Sequence, residues 1–139
     1  MSHEPPTIDP VLWSHAGGDL LTAVYGYVPT LHDARLIEVS LERDSAMLRF
    51  AYTDLAEGAA RSLGTRFELL FGRVNLVRLP LDDPWVLHAA LSAKGNGLRL
   101  DLQTGGGGWI IVEAERLEIH LLDIDVPTDD TPPTLQWKP

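Results

Sequence analysis

The sequence predicts a mainly β or α+β domain, an antiparallel sandwich or open roll of seven or eight strands that follows one N-terminal helix. Apolar and polar residues alternate over most of residues 35–124, which is typical of strands with one buried face. Turn signals recur at intervals of about 8 to 12 residues. No helical segment separates the predicted strands, as the crossovers of a parallel sheet would require. The pattern therefore favours neighbouring strands joined by hairpins.

The chain is short enough for one domain. It has 139 residues, of which 45% are hydrophobic, and a chain of this size buries roughly two thirds of its unfolded surface. We therefore expect residues 1–139 to form a single domain with one core. Residues 1–10 and 127–139 are rich in proline and polar side chains, and we predict that they are flexible or strap-like tails.

The first predicted element is a helix in the run of residues 19–27, with Asp19 as its cap. Leu20, Leu21, Val24 and Tyr25 fall on one helical face. Gly26 and Pro29 are residues that end helices. A change to two-residue alternation after this point predicts that strands follow.

The first half of the sheet is predicted from two pairs of segments. Residues 37–41 and 48–52 alternate as a hairpin with one buried face. Residues 54–65 mix alanines with glycines, and we predict a loop there. Residues 66–71 and 75–81 are predicted as two strands, the second ending at Pro80 because proline cannot donate to a ladder.

The second half of the sheet carries stronger turn signals. Segments 86–93 and 98–103 flank Lys94–Gly97, which contains the glycines that a tight hairpin turn needs. Four glycines at 105–108 then reverse the chain. We predict that residues 109–125 hold two short strands with a kink near Glu113–Glu115.

Composition excludes several classes of function. The chain has no cysteine, so a disulfide framework, a thiolate zinc site and a cysteine nucleophile are excluded. Its formal net charge of −9 repels phosphates and anionic lipids, so we expect neither a nucleic acid nor a membrane as partner. No apolar run reaches the ~18 residues of a spanning helix, and the first residues do not resemble a signal peptide. We therefore predict a cytoplasmic protein.

Motifs for catalysis or for a cofactor are lacking. None of the five histidines has the spacing that places two rings on one face, so we predict no metal site. The four glycines lead into a strand, whereas a phosphate-binding loop leads into a helix, and we predict no bound cofactor. We also assign no catalytic residue. The alternative of a hydrolase would use His88 or His120 as base, since both lie in predicted strands and could meet across a sheet.

Acidic residues concentrate near the C-terminus. Between Glu113 and Asp130 there are seven acids and one base, Arg116, which gives −6 of the net charge of −9. Such a block is typical of a solvated face. The alternative is a docking surface for a basic partner, because complementary fields accelerate association. Two tryptophans flank it and are of a type that anchors interfaces. The predicted partner-binding residues are Glu113, Glu115, Glu118, Asp123, Asp125, Asp129, Asp130, Trp109 and Trp137.

Residues 23–50 carry a resemblance. Tyr25-Gly26 and Val28-Pro29 precede a polar link into a strand pair that ends with Leu48-Arg49-Phe50. This run looks like the opening of the bacterial immunity protein 50 family, and residues 71–81 resemble the next block of that family. Trp13 before the helix also fits.

The resemblance implies a function. Immunity proteins of polymorphic toxin systems bind a cognate toxin domain and block it inside the producing cell, so the chain would be a non-enzymatic inhibitor with that toxin as its partner. A second hypothesis is a ligand-binding β-barrel or sandwich, with an apolar cavity lined by Trp85, Trp109 and Tyr52.

Overall fold

The computed structural model describes residues 8–55, 62–79, 83–124 and 134–137. The predicted mainly β class is confirmed, and two short helices precede the strands. Residues 54–65, predicted as a loop, instead contain the end of one strand and the start of the next, and residues 56–61 lie outside the described part. The elements are α1 Pro10–His15, α2 Asp19–Tyr25, β1 Arg35–Leu41, β2 Ser45–Leu55, β3 Ser62–Arg78, β4 Val86–Lys94, β5 Gly97–Thr104, β6 Trp109–Ile124 and β7 Thr134–Trp137.

The strands form a single sheet in the order β4-β5-β6-β3-β2-β1-β7. Strands β1 to β6 pair antiparallel, and β7 pairs parallel with Glu38–Leu41 of β1. The prediction of seven or eight antiparallel strands is wrong, because the described residues contain six. Residues 62–78 and 109–124 each form one long strand, whereas two short ones were predicted in each region. The seventh strand, β7, comes from the predicted C-terminal tail.

Strands β3 and β6 change direction at the same level. Arg73 has a left-handed backbone with φ of 54°, and the inward alternation on β6 shifts between Ala114 and Leu117. The kink predicted near Glu113–Glu115 therefore lies within one continuous strand. We call one part of the sheet the β5 half; it consists of β4, β5, residues 74–78 of β3 and residues 109–114 of β6. We call the other part the β2 half; it consists of β1, β2, β7, residues 62–72 of β3 and residues 116–124 of β6.

The sheet rolls until its ends approach each other. Arg35 at the start of β1 forms a bridge with Trp85, just before β4. The amide of Leu36 donates to Pro84 O at 2.8 Å. Of the two predicted arrangements, the open roll is therefore the one observed, and both halves contribute inward side chains to one core.

The N-terminal helices pack against this core. Trp13 of α1 and Tyr25 of α2 are buried, and the carbonyl of Ala16 accepts a hydrogen bond from Ile119 N at 2.7 Å. Helix α1 was not predicted, although its signals are present: Asp9 caps it by accepting from Val11 N at 2.8 Å, and Pro10 begins it. Residues 8–10 are therefore ordered parts of the fold, whereas 1–10 were predicted as a tail.

Helix α2 lies within the predicted run, but Gly18 rather than Asp19 is its N-cap. A Cβ on Gly18 would lie 2.2 Å from the indole nitrogen of Trp13, so the close packing of the two helices requires glycine there. Gly26 ends the helix with φ of 83°, as predicted, and donates to Thr22 O at 2.7 Å. In the described residues, neither helix has the length and apolar character needed to cross a membrane.

Candidate protein-binding surface

The predicted partner-binding residues lie on both halves of the sheet, because β6 runs through both. Trp109 and Glu113 belong to the β5 half, and Glu118 and Asp123 belong to the β2 half. Glu115 lies at the bend between them. The remaining predictions, Asp125, Asp129, Asp130 and the side chain of Trp137, lie outside the described part of the structure.

In the β5 half, the acids are neutralised by neighbouring cations. Lys94 Nζ donates to Glu113 Oε2 at 2.6 Å and to Oε1 at 2.8 Å, and an Arg99 terminal nitrogen lies 3.2 Å from Glu113 Oε2. Arg99 Nε also donates to both oxygens of Asp101 at 3.0 Å. We call Lys94, Arg99, Asp101 and Glu113 the β5 quartet. It contains two positive and two negative groups, and its net charge is therefore zero.

The hydrogen bond from Lys94 lowers the pKa of the Glu113 carboxyl, and Arg99 adds to the effect. A lowered pKa in the folded state means that this carboxylate stabilises the fold above its unfolded pKa, and that the contribution is lost as the pH falls. Glu115 is also paired, since its Oε2 lies 3.5 Å from a terminal nitrogen of Arg73. Two of the predicted partner-binding acids therefore contact cations of the chain itself.

The β2 half carries a different charge pattern. Cross-strand pairing aligns Glu38, Arg49, Glu68 and His120 on β1, β2, β3 and β6. Arg49 contacts Glu38 at 3.3 Å and Glu68 at 3.1 Å, and His120 Nδ1 lies 3.8 Å from Glu68 Oε1. Glu118, with a side chain 72% exposed, lies 4.0 Å from His120 Nε2.

We call Glu38, Arg49, Glu68, Glu118 and His120 the acidic ladder. It has three carboxylates and one guanidinium, which gives −2 with His120 neutral.

Exposed apolar side chains lie at the end of β6 in the β2 half. Leu122 is 41% exposed and Ile124 is 54% exposed. Asp123 lies between them in sequence and pairs with Arg66, whereas Ile124 pairs with the buried Thr65, so the side chains of Asp123 and Ile124 point to opposite faces. Apolar side chains bordered by charged ones are the usual composition of a protein interface.

Trp109 lies apart from this region. It is 40% exposed and borders a groove of about 570 Å³ with Arg78 and Leu79. Nine residues of strand separate it from Glu118, which corresponds to about 30 Å along an extended chain. The predicted surface is therefore two patches, of which only the one in the β2 half has an excess of acids.

The residues of the other hypotheses do not come together. His88 pairs with Gln103 on β5, whereas His120 pairs with Glu68 on β3, so the two histidines do not meet across the sheet. Trp85 and Trp109 are each 40% exposed, and Tyr52 is buried, so the three do not line one cavity. Among the residues that the structure describes, no three acids and histidines are placed to hold a metal ion.

A tyrosine cluster holds the segment after α2 against β2. The hydroxyls of Tyr27 and Tyr52 both donate to Asp54 Oδ2, at 2.5 Å and 2.8 Å. Burial, followed by the hydrogen bond to Asp54, raises the pKa of Tyr27 to about 12 and also raises the pKa of Tyr52. Both phenols are therefore neutral at pH 7 and act as hydrogen-bond donors that fasten this segment.

Sequence reasoning missed Glu38, Met47, Glu68 and Leu70 as surface residues of interest. Their outward position follows from alternation along each strand, which the sequence does show. Their proximity depends on the register Ser40–Met47–Leu70–Glu118 across four strands, which the sequence alone does not fix.

Comparisons with models of known protein families, with curated proteins and with solved structures found no match to this chain. The resemblance of residues 23–50 to the immunity protein 50 family therefore stays a prediction. In the structure this segment covers the end of α2, all of β1 and the first part of β2.

Proposed function

We propose that this chain is a non-enzymatic binding protein of the immunity type, which occludes a basic toxin domain in the cytoplasm of the producing cell. The observation that carries the proposal is residues 118–124 of β6, in which Leu122 and Ile124 are exposed and the strand also carries the carboxylates of Glu118 and Asp123. Buried apolar anchors supply most of the affinity of an interface, and surrounding charges raise the association rate.

The surface belongs to an ordered scaffold. Beneath it, Phe67 and Ile119 are buried in the core, and Ala16 of the N-terminal helical segment receives the hydrogen bond from Ile119. A surface on paired strands keeps its shape on binding, which reduces the entropy lost on association. This arrangement favours occlusion by a preformed face.

The acids of the β2 half also fit a basic partner better than those of the β5 half. Over the described residues of each half, the β2 half has five acids and four arginines, a net charge of −1, whereas the β5 half has two acids and three bases, a net charge of +1. A basic toxin domain would therefore be attracted to the β2 half. Of the seven acids that the sequence predicts as partner-binding, the proposed interface keeps Glu118 and Asp123 among the described residues.

The test uses the purified product of the gene next to that for this chain, which the proposal expects to contain the toxin domain. Glu118→Gln should lower the association rate constant by about threefold at low salt, because an exposed rim charge steers the encounter. Asp33→Asn is the matched control, since both changes remove one negative charge from side chains of similar exposure, 72% and 68%. Asn also tolerates the positive φ of residue 33.

A second variant tests the apolar part of the surface. Ile124→Ser should raise the dissociation rate constant, because it removes apolar area from the interface. Wild-type kinetics for both Glu118→Gln and Ile124→Ser would place the interface elsewhere. Absence of any complex with the toxin domain, measured at micromolar concentrations by calorimetry, would contradict the proposed function.

A further inference from the structure

A groove of about 320 Å³ lies beside the acidic ladder on the outer face of β1, β2 and β3. Its floor includes the side chains of Met47 and Leu70, which pair across β2 and β3 and are both partly buried. Glu42 borders it at the turn after β1, and Glu68 borders it from β3. The next position along this row, on β6, is Glu118.

The carboxylates around the groove have capacity for a further cation. Glu68 Oε2 accepts from Arg49 at 3.1 Å, whereas Glu68 Oε1 faces His120 at 3.8 Å, beyond hydrogen-bond distance. Glu42 Oε2 accepts from the hydroxyl of Ser45 at 3.3 Å, a neutral donor. Arg116 is the cation of the neighbouring row on β6, opposite Gly72, and does not line this groove.

We infer that this groove receives an arginine side chain of the partner protein, an inference that rests on the proposed function. The methylene stem of an arginine packs on apolar side chains, here Met47 and Leu70, while its charged end stays near water and carboxylates. The planar guanidinium suits this site better than an ammonium group, because it is more weakly hydrated and binds carboxylates with two parallel hydrogen bonds. Glu42 offers such a carboxylate at the turn after β1, and Glu68 Oε1 adds a further acceptor on β3.

The groove also explains why the outer face has an apolar row next to a charged one. Met47 and Leu70 lie one register step from Arg49 and Glu68, so a single extended side chain can contact both rows. The exposed end of β6 reaches the same face through Glu118. A partner arginine in the groove and a contact at Glu118 would belong to one continuous interface.

A peptide titration tests the groove without the toxin domain. Met47 is one of two methionines, so labelling with ¹³C-methyl methionine gives it a resonance that Met47→Leu assigns. The probe is acetyl-Gly-Arg-Gly-amide at low salt, compared with the same peptide carrying lysine or the uncharged isostere citrulline. The arginine peptide should shift the Met47 methyl resonance saturably, and both other peptides should bind at least about threefold more weakly.

Two variants accompany this titration. Glu42→Gln should weaken the arginine peptide by about threefold, because it removes one exposed carboxylate contact, while the control Asp33→Asn should bind as wild type does. An unmoved Met47 resonance, equal binding of the citrulline or lysine peptide, or equal binding by Glu42→Gln would each overturn the inference.

The toxin domain then separates the two proposals. If it binds and leaves the Met47 resonance unmoved, the groove is not part of the interface and the proposed function stands. If the arginine peptide occupies the groove and the toxin domain does not bind, the chemistry of the groove is supported and the proposed function is wrong. A shift of the Met47 resonance by both ligands supports both.

Discussion

The two halves of the sheet use the same kinds of charged side chain in opposite ways. In the β5 quartet two cations surround Glu113, with Lys94 at 2.6 Å and Arg99 at 3.2 Å, and the charges cancel. In the acidic ladder Arg49 contacts both Glu38 and Glu68, and the ion-pair partner of Glu118 among the described residues is the ring of His120 at 4.0 Å. The comparison teaches that the number of acidic residues in a stretch of sequence does not locate an acidic surface. The residues paired across the sheet decide which carboxylates have a cation beside them and which do not.

The largest expected effect on stability comes from a substitution that forces β5 away from β6 in the β5 half. A Cβ on Gly97 would lie 2.2 Å from the backbone oxygen of Ala114, so Gly97→Ala should destabilise the fold by about 2–3 kcal/mol. Gly95→Ala in the same turn has open space around the new Cβ and a φ of 56°, and it should cost only about 1 kcal/mol. Urea unfolding measures both. Equal losses would show that β5 does not approach β6 as described.

Removal of the cation from the acidic ladder should have an intermediate effect. Arg49→Leu leaves Glu38 and Glu68 without their shared partner, and we expect a loss of about 1 kcal/mol because both ion pairs are partly exposed. The buried Nε of Arg49, which has no hydrogen-bond partner among the described residues, limits what the arginine contributes. The double variant Arg49→Leu/Glu68→Leu should recover part of the loss in thermal unfolding. A double variant that is less stable than the single one would contradict this account of the ladder.

The pH dependence of the unfolding free energy should distinguish the two halves, by a smaller amount than the changes above. Glu113→Gln should lower the unfolding free energy at pH 7, and its difference from wild type should shrink as the pH falls below about 4.5, where the unfolded carboxyl becomes protonated. Glu118→Gln should change stability by less than about 0.5 kcal/mol at either pH, because its side chain is 72% exposed. Urea unfolding at pH 7 and pH 3.5 measures both variants. If the loss of unfolding free energy depended on pH equally in the two variants, the proposed difference between the β5 quartet and the acidic ladder would be wrong.

The smallest pH dependence near neutrality belongs to the tyrosine cluster, which lies at the β2 half. All three tyrosines of the chain have pKa values raised mainly by burial, that of Tyr27 to about 12. Their stabilisation is therefore complete below about pH 10 and is lost as the pH rises through the folded values. Tyrosinate absorbance at 295 nm should be nearly absent from the folded protein at pH 10 and appear on addition of urea. Half-ionisation at pH 10 in the folded state would contradict the described hydrogen bonds.

The sequence was informative about local structure and less so about assembly. Alternation and turn residues located the strands, the tight turn at Lys94–Gly97 and helix Asp19–Tyr25. The strand count was wrong because Arg73 adopts a left-handed backbone within a continuous strand, a conformation that is uncommon for a non-glycine residue. The parallel pairing of β7 with β1 is a contact between distant segments, which no local pattern records.

The same limit applies to the candidate site. The acids near the C-terminus were visible in the sequence, but the neutralisation of Glu113 depends on Lys94 and Arg99, which reach it across two strand pairings. Conversely, Glu38 and Glu68 were seen only as outward residues of separate strands until the register placed them on either side of Arg49.

The most direct test of the account is amide hydrogen exchange of this chain, free and in the presence of the product of the adjacent gene, which we propose as its toxin partner. Because the interface is assigned to the β2 half, we expect the complex to slow exchange in residues 38–49 and 118–124, with little change in residues 88–103. Slower exchange confined to 88–103 and 109–113, where the quartet and Trp109 lie, would contradict the account.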